Sequence, residues 1–398
     1  MENKIIYLDN AATTKPCDVA KNAMITATEQ YGNPSSLHGL GFEAEKLVTK
    51  SKQIIAERLS VEPQNIYFTS GGTEANNLAI FGTVNALKKR GNRIITSKIE
   101  HPSVLECFKR LERDGFDVIY LDVDSDGRVI VDTSVFTENT IFVSVMHVNN
   151  ETGVVEPIEE LSRVVRDKCP NCIIHCDCVQ SFGKIPVRVP SMGVDMVSIS
   201  SHKIHGFKGT GVLYSNTNKI IPILYGGEQQ SQIRPGTENT GGIFAFGAAA
   251  ENMVCDTEAM KKKRQLMCTK LEELVDKFKI NGSSQYTSGS VLNVSFLGIK
   301  AEILLHSLER HNIYVSTGSA CSSHKPQPSH VLKAMGLSQK EIEGAIRISF
   351  SQNTTDEEII FAAEKIAEEV KTIRRYVRYK EGFISERNYI GKVRRNNT

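Results

Sequence analysis

No apolar run in this 398-residue chain approaches the length needed to cross a bilayer. An excess of one charge is missing too: 48 Lys and Arg stand against 46 Asp and Glu, a formal net charge of +2. That balance gives no case for direct binding of nucleic acid or of a membrane surface. There is no internal repeat and no low-complexity tract. The nine cysteines are odd in number and widely scattered, which argues against a disulfide framework in so long a chain. The opening run Met1–Asp9 reads as a strand entering the fold and not as a signal peptide. With 40% apolar and 24% charged residues, the composition is that of an ordinary soluble globular protein, expected in the cytoplasm.

One cysteine cluster needs weighing. Cys169-Pro170-Asn171-Cys172 is followed by Cys176 and Cys178, a spacing that a metal site can use. Cys176 and Cys178 flank Asp177 on an expected strand, so they point away from the face that Asp177 uses. Buried cysteine behaves as a small hydrophobe. The expectation is a structural cluster and no metal site.

Short apolar runs alternate with helical patterns through most of the chain. Expected strands are Asn65–Thr69, Arg93–Ser97, Asp117–Leu121, Ile141–Met146, Ile173–Cys176, Val194–Ile199 and Gly211–Tyr214. Helical spacing runs through Thr73–Lys89, Ser103–Arg113 and Ile158–Asp167. This alternation predicts an α/β domain with a mainly parallel sheet covered on both faces. After Gly241 the pattern changes. A long helical stretch from Ile243 to Phe278 precedes a strand at Val291–Phe296, a helix at Ala301–Arg310, a strand at Gly344–Ser349 and a helix at Asp356–Tyr376. A smaller α+β domain follows from this, with the first dozen residues packed beside it. Residues 371–398 carry nine Lys/Arg against two Asp/Glu. That basic tail reads as a solvated terminus or as a docking surface for an acidic partner.

The chemistry-bearing residues fall at strand ends, where ligands sit in such folds. Asp177 closes one strand, and Ser200-Ser201-His202-Lys203 follows the next, the lysine 26 residues beyond the aspartate. A lysine amine that joins an aldehyde, and a carboxylate that keeps a pyridine nitrogen protonated, are what pyridoxal phosphate chemistry needs. Gly72 and Thr73, between a strand and a helix, suit a phosphate cradle or a simple helix cap. His101 follows a strand and could stack on a flat ring and move protons, or serve as a hydrogen-bonded structural residue. Asn150 and Gln180 could reach the cofactor's phenolic oxygen. Arg347, in an otherwise apolar strand, suits capture of a substrate carboxylate or an internal ion pair. The loop Ser316–Ser323 carries one cysteine, Cys321, among small residues.

On these residues the chain resembles the NifS/IscS-like cysteine desulfurases, within the class V aminotransferase family of pyridoxal-phosphate enzymes. The marks run from Tyr7–Thr14 through Gly32-Asn33-Pro34-Ser35, Ser70–Asn77, Glu100-His101, His147–Gly153, Asp177–Gln180, Ser200–Gly206, Arg234–Asn239 and Ser316–Cys321 to Arg347. The resemblance implies fold type I: a large domain with a mainly parallel seven-stranded sheet, placed at 15–255. A small α+β domain takes 1–14 and 256–398, with a mobile cysteine loop at about 316–330. It implies Lys203 as the Schiff-base lysine, Cys321 as the persulfide cysteine, and His101 as a stacking and proton-shuttling residue. Asp177 would hold the pyridine nitrogen, with Asn150 and Gln180 beside the ring. Gly72, Thr73, Ser200 and His202 would bind the phosphate, with Thr237 reaching across a homodimer. Asn33 and Arg347 would hold the substrate carboxylate. The implied reaction turns L-cysteine into L-alanine and leaves sulfur on Cys321. The sulfur would pass to an iron–sulfur scaffold, a thio-cofactor pathway or a tRNA-thiolation protein, with Cys321 a conceivable shared cluster ligand. A selenocysteine lyase, an aminotransferase of the same family, and a cofactor-free docking scaffold for sulfur carriers are the competing readings.

The chain departs from the family pattern at Glu228, where a glycine is usual, and at Ser231, where an arginine is usual. Phe207 stands where proline is common, and Cys178 where alanine is common.

Overall fold

The computed structural model describes residues 4–317 and 328–395, with side chains described as far as Tyr376. Its centre is a seven-stranded sheet in the order Ile66–Thr69, Gly211–Ser215, Met196–Ser200, Ile173–Asp177, Thr140–Ser144, Arg93–Ser97, Asp117–Leu121. Gly211–Ser215 runs antiparallel to both its neighbours, and the remaining pairings are parallel. The expected strands are all present, with ends displaced by up to two residues.

The central strands read as continuous apolar runs because both faces are covered. Ile94, Phe142, Ile173, Met196 and Leu213 pack under the helices Gly72–Leu87 and Pro102–Arg113. Their immediate neighbours Ile95, Val143, Ile174, Val197 and Val212 pack on the opposite side. One step along a strand moves a side chain to the other face. Cys176 and Cys178 therefore join the second core with Cys169 and Cys172, while Asp177 stays on the first face.

A separate core gathers Ile6 and Leu8 with apolar residues between Met260 and Ile373. It encloses the antiparallel sheet Ala345–Ser349, Val291–Phe296, Phe278–Asn281 and the parallel pair Ile6–Tyr7 with Ile313–Tyr314. Ile6 and Leu8 thus lie in this separate core. The long helix expected over Ile243–Phe278 is a correction. Two helices, Thr240–Asn252 and Thr257–Leu274, are interrupted at Met253, and Phe278–Asn281 is a strand. Asp256 supplies the break by capping the second helix through Ala259 N–H at 2.9 Å. The helices Asp18–Glu29 and Gly39–Leu59 were not anticipated; they pack on Thr240–Asn252.

No helix among the described residues is long and apolar enough to cross a membrane. Among the same residues no group of three or more His, Cys, Asp or Glu could hold a metal ion.

Candidate active site

A cleft of about 250 Å³ opens at the carboxyl ends of the parallel strands. Gly72, Thr73, His101, Asn150, Asp177, Gln180, Ser200, His202 and Lys203 all line it, although they come from five stretches of chain. The sheet places them. Asp177 ends one central strand and Ser200 ends its neighbour, with Asp177 paired to Ser198 in register.

At one end of the cleft the helix Gly72–Leu87 begins without a side-chain cap, so its first N–H groups face the opening. Gly72 is needed there because a Cβ would stand 2.8 Å from Val179 Cγ2. Ser200 Oγ is buried beside it and, among the described residues, has no hydrogen-bond partner. A buried hydroxyl left so is costly, and an anion accepting its hydrogen bond would remove that cost.

At the other end Asp177 is buried. Its carboxylate accepts from Asn76 Nδ2 at 2.7 Å and from Val179 N–H at 2.9 Å. The two donors fix the carboxylate in place, and a cationic ring nitrogen would be a further partner for it. Burial pushes the His101 imidazole below its ordinary value, with Asp177 opposing and Lys203, His330 and Arg347 reinforcing the shift. A neutral ring able to accept a proton follows. Its Nδ1 faces Ser103 Oγ at 2.8 Å and the Ser103 N–H at 3.1 Å, which fixes the ring plane. Lys203 stands on a single turn of tight helix, Ser201–Lys203, and donates to the carbonyls of Ala11 at 2.5 Å and Ala12 at 2.8 Å.

The chain matches the family model described as aminotransferase class-V over residues 6–360. The chain belongs to the class V aminotransferase family. It is 41% identical to a putative cysteine desulfurase IscS 1 of Bacillus subtilis, an alignment covering 92% of this chain and 99% of that one. It is 39% identical to a cysteine desulfurase IscS of Clostridium botulinum, covering 94% and 96%. A solved NifS-like protein superposes with a TM-score of 0.87 at 36% identity, covering 93% of this chain and 100% of that chain. SspA in complex with cysteine superposes at 0.78 and 33% identity, covering 86% and 98%. These enzymes depend on pyridoxal 5′-phosphate, and so does this chain. The uncapped helix start, the unpartnered Ser200 hydroxyl and the doubly hydrogen-bonded Asp177 fit that cofactor from phosphate to ring nitrogen.

Three expected residues are absent from the lining of the cleft. Asn33 is exposed, its Oδ1 accepting from Ser35 N–H. Thr237 is exposed as well. Arg347 is buried, donating to Asp9 Oδ1 at 2.9 Å and to the Asn150 carbonyl at 3.0 Å. Its Nε has no partner among the described residues. Arg347 thus forms an ion pair with Asp9 while its Nε keeps a hydrogen to donate. Cys321 lies outside the described residues, but both flanks of its loop are placed. Ser316 exchanges backbone hydrogen bonds with Arg347, and Ser329 Oγ donates to buried Glu151 at 2.5 Å.

Sequence reasoning missed Asn76, Asp9 and Lys184. Asn76 had a signal: it lies one helical turn beyond Gly72, on the face turned to the sheet. Asp9 and Lys184 had none, because their partners are 338 and 4 residues away and only the fold shows the contact.

Proposed function

We propose that this chain is a cysteine desulfurase that converts L-cysteine to L-alanine and leaves the sulfur as a persulfide on Cys321. The observation that carries this is the cleft, in which one chain gathers nine of the residues expected to hold cofactor or move protons. The relatives named cysteine desulfurase support the choice of reaction.

Lys203 would bind the cofactor's aldehyde. Gly72, Thr73, Ser200 and His202 would hold its phosphate, with Thr237 from a second subunit, Asp177 would hold the ring nitrogen, and His101, Asn150 and Gln180 would contact the ring. Bound, the cofactor supplies an electron sink for the pair released at the substrate Cα. Lys203 takes the Cα proton, and neutral His101 accepts the thiol proton of the substrate or of Cys321. The Cys321 thiolate then attacks the substrate sulfur. The sulfur–carbon bond breaks, the carbon keeps the electron pair and is protonated, and cysteine plus thiol become alanine plus persulfide. Cys321 lies five residues beyond Ser316. Five extended steps reach at most about 17 Å from the anchor on Arg347.

Arg347 and Asn33 hold the substrate carboxylate, the spare Nε of Arg347 supporting its share. We place Asn33 and Thr237 at a homodimer interface. Exposed apolar side chains nearby support it: Tyr31 at 79%, Leu37 at 91% and Tyr225 at 85%. The division into a large domain at 15–255 and a small one at 1–14 and 256–398, cytoplasmic residence and a sulfur-acceptor protein complete the reading.

The test is product stoichiometry. The loaded protein given L-cysteine and no 2-oxo acid should yield alanine and bound or released sulfur one to one. An absolute need for a 2-oxo acid acceptor would make it an aminotransferase, and activity confined to selenocysteine would make it a lyase for that substrate.

A further inference from the structure

A second cleft, of about 490 Å³, lies behind the first. Lys203 lines both, and Lys184 lines the rear one. Lys184 is 9% exposed, and among the described residues it has no ion pair. Its Nζ donates to Gln180 Oε1 at 2.6 Å. Because that oxygen is taken, the amide nitrogen of Gln180 turns the other way and donates to the Ala11 carbonyl at 2.9 Å. The same carbonyl accepts from Lys203 Nζ. A chain of three hydrogen bonds thus joins one buried lysine to the other.

An amine so deeply buried, with one hydrogen bond to Gln180 and no carboxylate, is costly to keep charged. We propose that Lys184 is a positioning residue for Lys203: its sealed amine holds the Gln180 amide in one orientation and sets a second positive charge beside the lysine that joins the cofactor. This rests on the assignment of Lys203 above. The neighbourhood is cationic from several elements. Arg347 approaches from the small sheet, already paired with Asp9, and His202, His205 and Lys208 stand on the turn that bears Lys203. Asp177 and His101 face Lys203 from the cleft, and Asp256 and Lys263 border the rear opening. Burial first, then Lys203 and Arg347, push the Lys184 amine down to about 7. A nearby like charge makes a proton on a neighbouring amine less favourable, one of the recognised ways of activating a lysine nucleophile.

The experiment is a pH titration of the visible absorbance band of the cofactor-loaded protein, with melting temperature and cofactor content measured alongside. Lys184→Met and Lys184→Gln should move the midpoint upward by about one pH unit, the size of one close like charge. Lys184→Arg, for which the rear cleft gives room, should leave it at the parent value. Unmoved midpoints in the two neutral variants, with parent-like melting and cofactor content, overturn the proposal. So does folding of Lys184→Arg alone, which would make the amine purely structural. Lys203→Ala is the separate control: if it keeps the band, the Lys203 assignment fails and the role of Lys184 falls with it.

Discussion

Two halves of the site are built differently. The proposed cofactor half, from Gly72 to Asp177, gathers nine residues of one chain on strand ends whose positions the sheet register fixes, with Thr237 the one contributor expected from a partner. The substrate half depends on groups outside that frame. Asn33 sits on an exposed loop, Arg347 reaches in from the small sheet with Asp9 on its guanidinium, and the described chain on either side of Cys321 is anchored at Ser316 and Ser329. The difference follows the chemistry. A resident cofactor is served by groups that do not move, whereas a substrate that must enter and a sulfur that must leave need parts that do.

Breaking the fixed half should have the largest effect. Lys203→Ala should abolish the visible absorbance of the loaded protein and lower turnover by roughly 10³-fold or more, measured as alanine formed. Parent-like turnover would sink the assignment and leave Lys208 as the next candidate.

Breaking the other half should act on substrate affinity. Arg347→Met should raise KM for cysteine by about 10- to 100-fold, the worth of a hydrogen bond to a charged group, with a smaller change in kcat. Asp9→Asn should change KM by less than about tenfold, because it only loosens the guanidinium that Arg347 offers. Equal effects would show that Arg347 serves the Asp9 ion pair and not the substrate.

The pH profile sharpens the comparison at His101. Because burial disfavours its protonated form, the acidic limb of kcat/KM should lie below pH 6.5, the ordinary imidazole value. Above that limb the ring is neutral and able to accept a proton. His101→Gln should remove the limb while leaving the phosphate end of the cleft intact. A limb above pH 6.5 would mean that Asp177 outweighs burial.

The smallest effect belongs to the loop that departs from the family. Gln230, Ser231 and Gln232 hold φ values of 48°, 57° and 63°, three successive non-glycine residues in the left-handed region. Gln230 repays its strain by pairing its side-chain amide with both backbone groups of Phe68, at 2.6 and 2.9 Å. Gln232 is exposed, so Gln232→Gly should stabilise the protein by roughly 0.5 kcal/mol in denaturant unfolding, the strain relieved less the entropy that glycine adds to the unfolded chain.

Legibility divides along the same line. The strand bearing Asp177 and the turn bearing Lys203 were readable because apolar runs bounded by polar turns mark strand ends directly. The core cysteines were readable from strand alternation around Asp177. The break at Met253 was not, since helical spacing continues across it and only the Asp256 cap announces a new start. Nor was the pairing of Asp9 with Arg347, which depends on the first strand joining Ile313–Tyr314 from the far end of the chain. Lys184 was passed over because a lysine four residues beyond Gln180 looks like ordinary surface until the fold closes over it.

The most direct test of the central claim is a single turnover with L-cysteine, followed by mass spectrometry of the Cys321 peptide. The parent protein should gain one sulfur atom there for each alanine released. Cys321→Ser should bind L-cysteine, with altered cofactor absorbance, yet form neither persulfide nor sulfide above background, because a hydroxyl is a far poorer nucleophile toward sulfur. Alanine formed by Cys321→Ser at the parent rate would contradict the account and make this cysteine structural.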